Sequence, residues 1–364
     1  MSQHRRRVPV IMSSRARPIA LLALIVGLLA LVAAGCGSDD DEGGGSSGGG
    51  ASEEQVKIGV SNTLVGNGWR EEMICSVKAQ AAAAGNVSEV LVHNVNGGAS
   101  EQIAGIRNLI SSGAKAIIIN PADRSALDPV IKEADRRGIV VVAVDQAVTA
   151  PEAYVVTNDQ VAYGRLGAEY LVKALGGKGN IVEMRGISGV PADEDRHKGF
   201  MEVIEANPGM KVVKETFTEW SYAPAGKQAL DILNSNTKVD GIWTSGIDYV
   251  VVNAFKTAGK EPVPVIGTDN NEFLKQLQDG APGAAVTNPA TIGGVGTAIA
   301  LDALAGKNPE KKTTLTPQVW DMESSADTIK EFYDPKLPPT YSTQMIVEPY
   351  TTYTKEQLTG CEGP

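Results

Sequence analysis

From Val56 onward, short runs of β-branched residues alternate with segments of helical periodicity, and this alternation constrains the fold more than any other feature of the chain. Strands separated by helices run parallel, and a parallel sheet must be covered by helices on both faces. The runs predict strands over 57–61, 89–93, 116–119, 139–144, 180–184, 211–216, 241–243, 263–267 and 284–287. Helices are predicted over 69–84, 100–112, 125–137, 160–175, 193–206, 224–233, 249–258, 271–278 and 291–305. A further strand-like run, 154–156, follows 140–144 with no helix between them, which marks where the chain passes from one lobe to another. Two sheets fit this length better than one, so the expectation is an α/β fold of two Rossmann-like lobes. After Trp320 the rhythm fails, and a tail rich in Pro, Thr and Tyr is expected to wrap across the surface.

The N-terminus reads differently. Arg15 and Arg17 precede a continuous apolar run from Ile19 to Ala34, which is short for a bilayer span and ends in small residues before Cys36. This is the pattern of an export signal over 1–35, with Met12 a second possible start. The segment 36–55 is Gly, Ser, Asp and Glu with almost nothing to bury, so it is expected to act as a solvated linker. The formal charge of −10 becomes −15 once residues 1–35, with five basic and no acidic residues, are removed. Such acidity argues against nucleic acid or an anionic membrane surface as a partner. Cys75 and Cys361 remain in the folded part. In an oxidising compartment a bond between them is favoured, which would pin the tail to the first helix; two separate buried thiols are the alternative.

Ligands of open α/β sheets sit outside the carboxyl ends of the strands, where loops and helix N-termini leave backbone groups free. Asn62, Asn120, Asp145, Arg185 and Asp269 each stand where an apolar run finishes. Asn62 and Arg185 read as local caps or strand-end residues. Asn120 precedes Pro121, and Asp145 lies in a loop, so both are better candidates for a polar pocket. Aromatic residues are only 5% of the chain, which gives weight to Trp69 and Trp220, each in a loop or at a helix start beside a charge. A sugar ring presents flat C–H patches edged by hydroxyls, so it suits aromatic faces rimmed by Asp, Asn and Arg. Burial of both indoles in a core is the competing reading.

Seven short motifs, in order, carry a resemblance to a known family. They are Gly66-Asn67-Gly68-Trp69-Arg70, Ile119-Asn120-Pro121-Ala122-Asp123, Val144-Asp145-Gln146, Arg196-His197-Lys198-Gly199-Phe200, Thr218-Glu219-Trp220, Gly267-Thr268-Asp269 and Val286-Thr287-Asn288-Pro289. Over 56–304 the chain resembles the periplasmic sugar-binding proteins of bacterial ABC transporters, of the ribose- and galactofuranose-binding type. The resemblance implies the periplasmic binding protein type I fold, with a three-strand hinge and a cleft between lobes that close on one sugar. It places the N-terminal lobe at 56–157 plus 288–318, and the C-terminal lobe and tail at 158–287 plus 319–364. It implies that Trp69 and Trp220 stack on opposite faces of the ring. Asn67, Arg70, Asn120 and Asp145 would bind hydroxyls from the first lobe, with Arg196, Asp269 and Asn288 from the second lobe and hinge, and Asp248 added from a motif that departs from the pattern. Arg70 and Gln146 differ from the ribose-binding pattern, which turns the expectation away from ribose itself. The end of the apolar run, Ala33-Ala34-Gly35-Cys36, is similar to the lipobox of bacterial lipoproteins, implying that Cys36 is acylated and anchors the protein outside the cytoplasm.

The partners so implied are a monosaccharide and an ABC permease, with the protein a monomer. No cofactor or metal is expected. Enzyme readings have little to stand on: no glycine fingerprint follows the first strand, there is no Gly-x-Ser-x-Gly elbow, and His93 and His197 lack zinc spacing. A sensor with the same site, docking on a membrane receptor, stays open, as does a non-sugar solute such as a nucleoside or an autoinducer.

Overall fold

The computed structural model describes residues 55–364. The expected export signal, Cys36 and nearly all of the linker lie outside the described residues. In chain order the elements begin β1 (Val56–Asn62), α1 (Gly68–Ala84), β2 (Val87–Asn94), α2 (Ala99–Ser111), β3 (Ala116–Ile119), α3 (Asp128–Asp135), β4 (Val140–Asp145) and β5 (Tyr154–Asn158). They continue α4 (Gln160–Ala174), β6 (Gly179–Arg185), α5 (Pro191–Ala206), β7 (Met210–Phe217), α6 (Tyr222–Asn234), β8 (Gly241–Thr244), α7 (Asp248–Ala258), β9 (Val265–Thr268), α8 (Asn271–Gln278) and β10 (Gly283–Val286). The last are α9 (Ile292–Leu304), β11 (Lys312–Leu315), β12 (Val319–Trp320), α10 (Ala326–Phe332) and α11 (Lys355–Gly360).

These elements make two six-stranded sheets, ordered β11-β5-β4-β3-β1-β2 and β12-β10-β9-β8-β6-β7. Every pairing is parallel except β10 with β12. Two α/β lobes of the type I arrangement result, each sheet buried between helices. That burial explains the unbroken apolar runs: Ile117, Ile118 and Ile119 are all inaccessible, Ile118 facing α1 and α9, the other two facing α2 and α3. Each such side chain is stabilised by about 1.5–3 kcal/mol relative to exposure. Between its strands the chain passes from lobe to lobe three times, after β5, after β10 and after β11. In the second lobe α4 and α5 cross in close contact at Gly164 and Gly199, where a Cβ on Gly164 would fall 1.9 Å from the Arg196 carbonyl oxygen and one on Gly199 equally close to that of Val161.

Two differences from the expected organisation stand out. β11 was not foreseen, because this edge strand alternates between exposed and half-buried residues and starts with a lysine. The tail, expected with the second lobe over 319–364, divides between both. β12 and α10 pack on the second lobe, where Trp320 stacks on Phe332 at 4.9 Å. From Met345 onward the chain lies on the first lobe: Val347 and Tyr350 join its core, and Met345, Tyr353 and Leu358 bury against Cys75 and Ala79. A disulfide joins Cys75 of α1 to Cys361, and the Val90 amide donates to the Pro364 carbonyl at 2.9 Å.

Candidate functional site

Where the carboxyl ends of the two sheets face each other, a cavity of about 480 Å³, its open mouth included, lies between the lobes. Asn67, Trp69, Arg70, Asp145, Arg196, Trp220 and Asn288 all line it.

Each of these side chains is held by a hydrogen bond; that of Asn288 accepts from Asn158 Nδ2 at 3.0 Å. Asn67 caps α1 by accepting from the Arg70 amide at 3.0 Å, and its Nδ2 reaches the other lobe to donate to the Trp220 carbonyl at 3.0 Å. Trp69 donates from Nε1 to the Asn288 carbonyl at 2.7 Å, which fixes the indole against the β10–α9 passage. Trp220 donates to the Ser245 carbonyl at 2.8 Å and packs against Gly186, where a Cβ would come within 2.1 Å of the ring. Glu219 and Trp220 have φ of 55° and 46°, and Asp145 has 66°. Left-handed backbone at bulky residues costs free energy and is kept only where surrounding structure enforces it, typically beside bound ligands.

Charge in the cavity is buried and held by neutral hydrogen-bonding groups. The Arg70 guanidinium lies 5.8 Å from the centre of each indole and donates from Nη1 to Asn62 Oδ1 at 3.1 Å. Burial lowers its pKa to about 10 against the attraction of Asp145, so it stays charged at neutral pH. Arg196 donates to Gln160 Oε1 at 2.7 Å and Ser245 Oγ at 3.1 Å, with its guanidinium 4.3 Å from the centre of the Tyr163 ring. The same Gln160 donates to Asp145 Oδ1 at 2.8 Å, so one amide orients both a cation and an anion of the wall.

Three expected contacts, Asn120, Asp248 and Asp269, do not line the cavity; they brace its wall. Asn120 Oδ1 accepts from Gln146 Nε2 at 2.5 Å, while Gln146 Oε1 accepts from the Ala192 amide of α5 at 3.0 Å. Gln146 thus occupies the space between Asn120 and the second lobe. Asp248 begins α7 and accepts from the Thr268 and Tyr249 amides at 2.7 Å and from Asn270 Nδ2. Burial raises it to about 6. Asp269 accepts from the Asn288 amide at 2.8 Å and from Ser342 Oγ at 3.0 Å; burial raises its pKa too. Both carboxylates sit one layer behind the wall because backbone amides of adjacent strand ends claim their oxygens.

The cavity's position at paired strand ends, between two such lobes, points to one family. The model of the periplasmic binding protein domain matches residues 58–308. The chain belongs to that family. Among similar proteins, the xylitol-binding protein of Mycolicibacterium smegmatis is 31% identical over 195 residues, 52% of this chain and 56% of that protein. The galactofuranose-binding protein YtfQ of Escherichia coli is 27% identical over 77% of this chain and 91% of its own. An ABC transporter solute-binding protein from Thermobispora bispora, known as a crystal structure, superposes with a TM-score of 0.73 at 31% identity, covering 79% of this chain and 90% of its own. Among the described residues no helix is long and apolar enough to cross a membrane.

Sequence reasoning missed Leu64, Tyr222, Ser245, Gly246, Thr268, Asn270 and Thr340, which also line the cavity. Thr268 and Asn270 flank Asp269, so strand-end position alone could have found them. Leu64 joins Val190, Ala192 and Trp220 in an apolar cluster across the cleft lip. Thr340 comes from the tail, where no pattern marks it. Outside the cavity the lobes also meet through Arg124 and Asp195, 2.9 Å apart.

Proposed function

We propose that this chain is an extracytoplasmic solute-binding lipoprotein that captures a monosaccharide by lobe closure and delivers it to an ABC permease, making and breaking no covalent bond. The observation that carries the reading is the arrangement of Trp69 and Trp220 about Arg70, inside a cavity whose walls come from both lobes. Indole faces suit the C–H surface of a sugar ring, while paired Arg, Asp and Asn groups suit its hydroxyls. A ligand that touches both lobes stabilises the closed arrangement over the open one and so shifts the population, which gives a permease a shape to recognise. Membership of the family, and relatives named for galactofuranose and xylitol, support a polyhydroxylated ligand. Acylated Cys36 would hold the protein at the membrane through the 36–55 linker.

Calorimetry of the purified chain against D-ribose, D-galactose, L-arabinose, D-xylose, xylitol and myo-inositol tests this. Heat of binding to at least one sugar or polyol is expected. No heat from a full panel of monosaccharides and polyols, with or without binding of an amino acid or nucleoside, overturns the ligand class.

A further inference from the structure

The tail makes a fourth passage between the lobes, and it runs along the cavity wall. Leaving α10 on the second lobe, it covers the start of α8. The Pro339 and Tyr341 carbonyls accept from the Glu272 and Asn271 amides at 3.0 and 2.9 Å, and Asn271 Nδ2 donates to the Asp334 carbonyl at 2.8 Å. These bonds satisfy amides that a helix N-terminus otherwise leaves unpaired. At Ser342 the chain touches both lobes at once: its amide donates to Glu72 Oε2 of α1 at 2.7 Å, and its hydroxyl donates to Asp269 Oδ2 beyond β9 at 3.0 Å. Glu72, Asp269 and Ser342 are inaccessible to solvent. Gln344 then accepts from Thr291 Oγ1 at 2.9 Å on the way to the first lobe, where Cys361 is bonded to Cys75.

Thr340 lies just before this junction, behind Pro338 and Pro339, whose fixed φ stiffens the approach. It lines the cavity, and its hydroxyl fills the space over Gly68, where a Cβ would come within 1.8 Å of Oγ1. Only glycine at 68 admits it.

We propose that residues 334–344 form a strap belonging to the binding wall, in which the Thr340 hydroxyl selects among ligands and the Ser342 and Cys361 anchors limit how far the lobes part. The selective part rests on the sugar-binding reading above; the mechanical part rests on the strap alone. Rotation of the lobes draws Glu72 away from Asp269, so Ser342 must release one of them. Beyond that point the disulfide-held segment takes up the slack and stops the swing.

The test uses the full chain with three variants: Thr340→Val, Ser342→Ala, and the double Cys75→Ser/Cys361→Ser. Thr340→Val keeps the shape and removes the hydroxyl, so relative affinities across the six compounds named above should change at least fivefold while the melting temperature stays. In Ser342→Ala and the cysteine double variant, amides of 334–344 should exchange hydrogen at least tenfold faster, and small-angle scattering without sugar should show a larger radius. Ser342→Ala, which leaves the disulfide in place, carries the mechanical test if the cysteine variant does not fold. An unchanged order of affinities overturns the role of Thr340, and unchanged exchange and scattering overturn the strap. Should the unmodified protein bind none of the six, the sugar reading and the role of Thr340 fall with it, while scattering and exchange still decide the strap.

Discussion

Asn67 and Trp220 are 153 positions apart, yet the Asn67 side-chain amide donates to the Trp220 main-chain carbonyl at 3.0 Å, linking the helix start of one lobe to the aromatic wall of the other. The same Asn67 caps α1, so one residue serves both local folding and the contact between lobes.

Those two roles separate by substitution. Asn67→Asp keeps the capping oxygen but loses the donor and sets a carboxylate against the Trp220 carbonyl. The melting temperature is expected to hold, while the bound sugar dissociates about 3–30-fold faster, the equivalent of roughly one neutral hydrogen bond plus repulsion. Stopped-flow release beside a melting curve checks this; unchanged release would mean the contact does not contribute to closure.

Gly186 lies against the Trp220 ring, leaving no room for a Cβ. Gly186→Ala forces the indole out of its seat, at about 1–3 kcal/mol of overpacking shared between stability and binding. Affinity should fall at least as far as in Trp220→Ala, for which loss of a stacked aromatic face predicts about 1–3 kcal/mol. Tryptophan fluorescence during sugar titration reports the displaced ring directly.

The Arg124–Asp195 pair also bridges the lobes, but its side chains are 36% and 32% exposed. Water screens such pairs, so Arg124→Ala should cost about 0–1 kcal/mol of binding, shrinking further as salt is raised. A loss exceeding tenfold would assign this pair a larger part in closure than its exposure allows.

His197 Nδ1 lies 2.8 Å from Glu183 Oε1. The hydrogen bond and charge of Glu183 raise the imidazole above its ordinary 6.5. A folded state that holds this proton more tightly gains stability that is complete below pH 6.5 and lost as pH rises through the higher folded value. The partial exposure of His197 limits the effect to about 1 kcal/mol or less. Melting curves from pH 6 to 9 should show this decline in the native chain, and His197→Gln should remove it.

The two lobes were legible because their strands are buried on both faces: Ile117-Ile118-Ile119 and Val141-Val142-Ala143-Val144 can be little else, and each ends at a polar residue. Of the seven cavity residues foreseen, Asp145 was legible from its place at a strand end and Trp69 and Trp220 from the scarcity of aromatics, while Asn67, Arg70, Arg196 and Asn288 came only from the family resemblance. Asn120 does not line the cavity because Gln146 lies between it and the second lobe and claims its oxygen. Asp248 and Asp269 were misplaced because a sequence marks a strand end without telling which amide will claim the carboxylate. Thr340 left no trace, since its role depends on where a Pro-rich tail returns and on an empty Cβ position at Gly68.

One residue separates β5 from α4. That residue, Asp159, is itself tied on both sides, its amide to the Leu315 carbonyl at 2.9 Å and its carboxylate to the Ala162 amide at 2.9 Å. So short and braced a joint leaves few bonds free to turn. On the sugar-binding reading proposed above, such a joint would make the swing of the halves a pivot about nearly one axis, so that arrival of solute, more than a search through loose postures, would set the pace of capture.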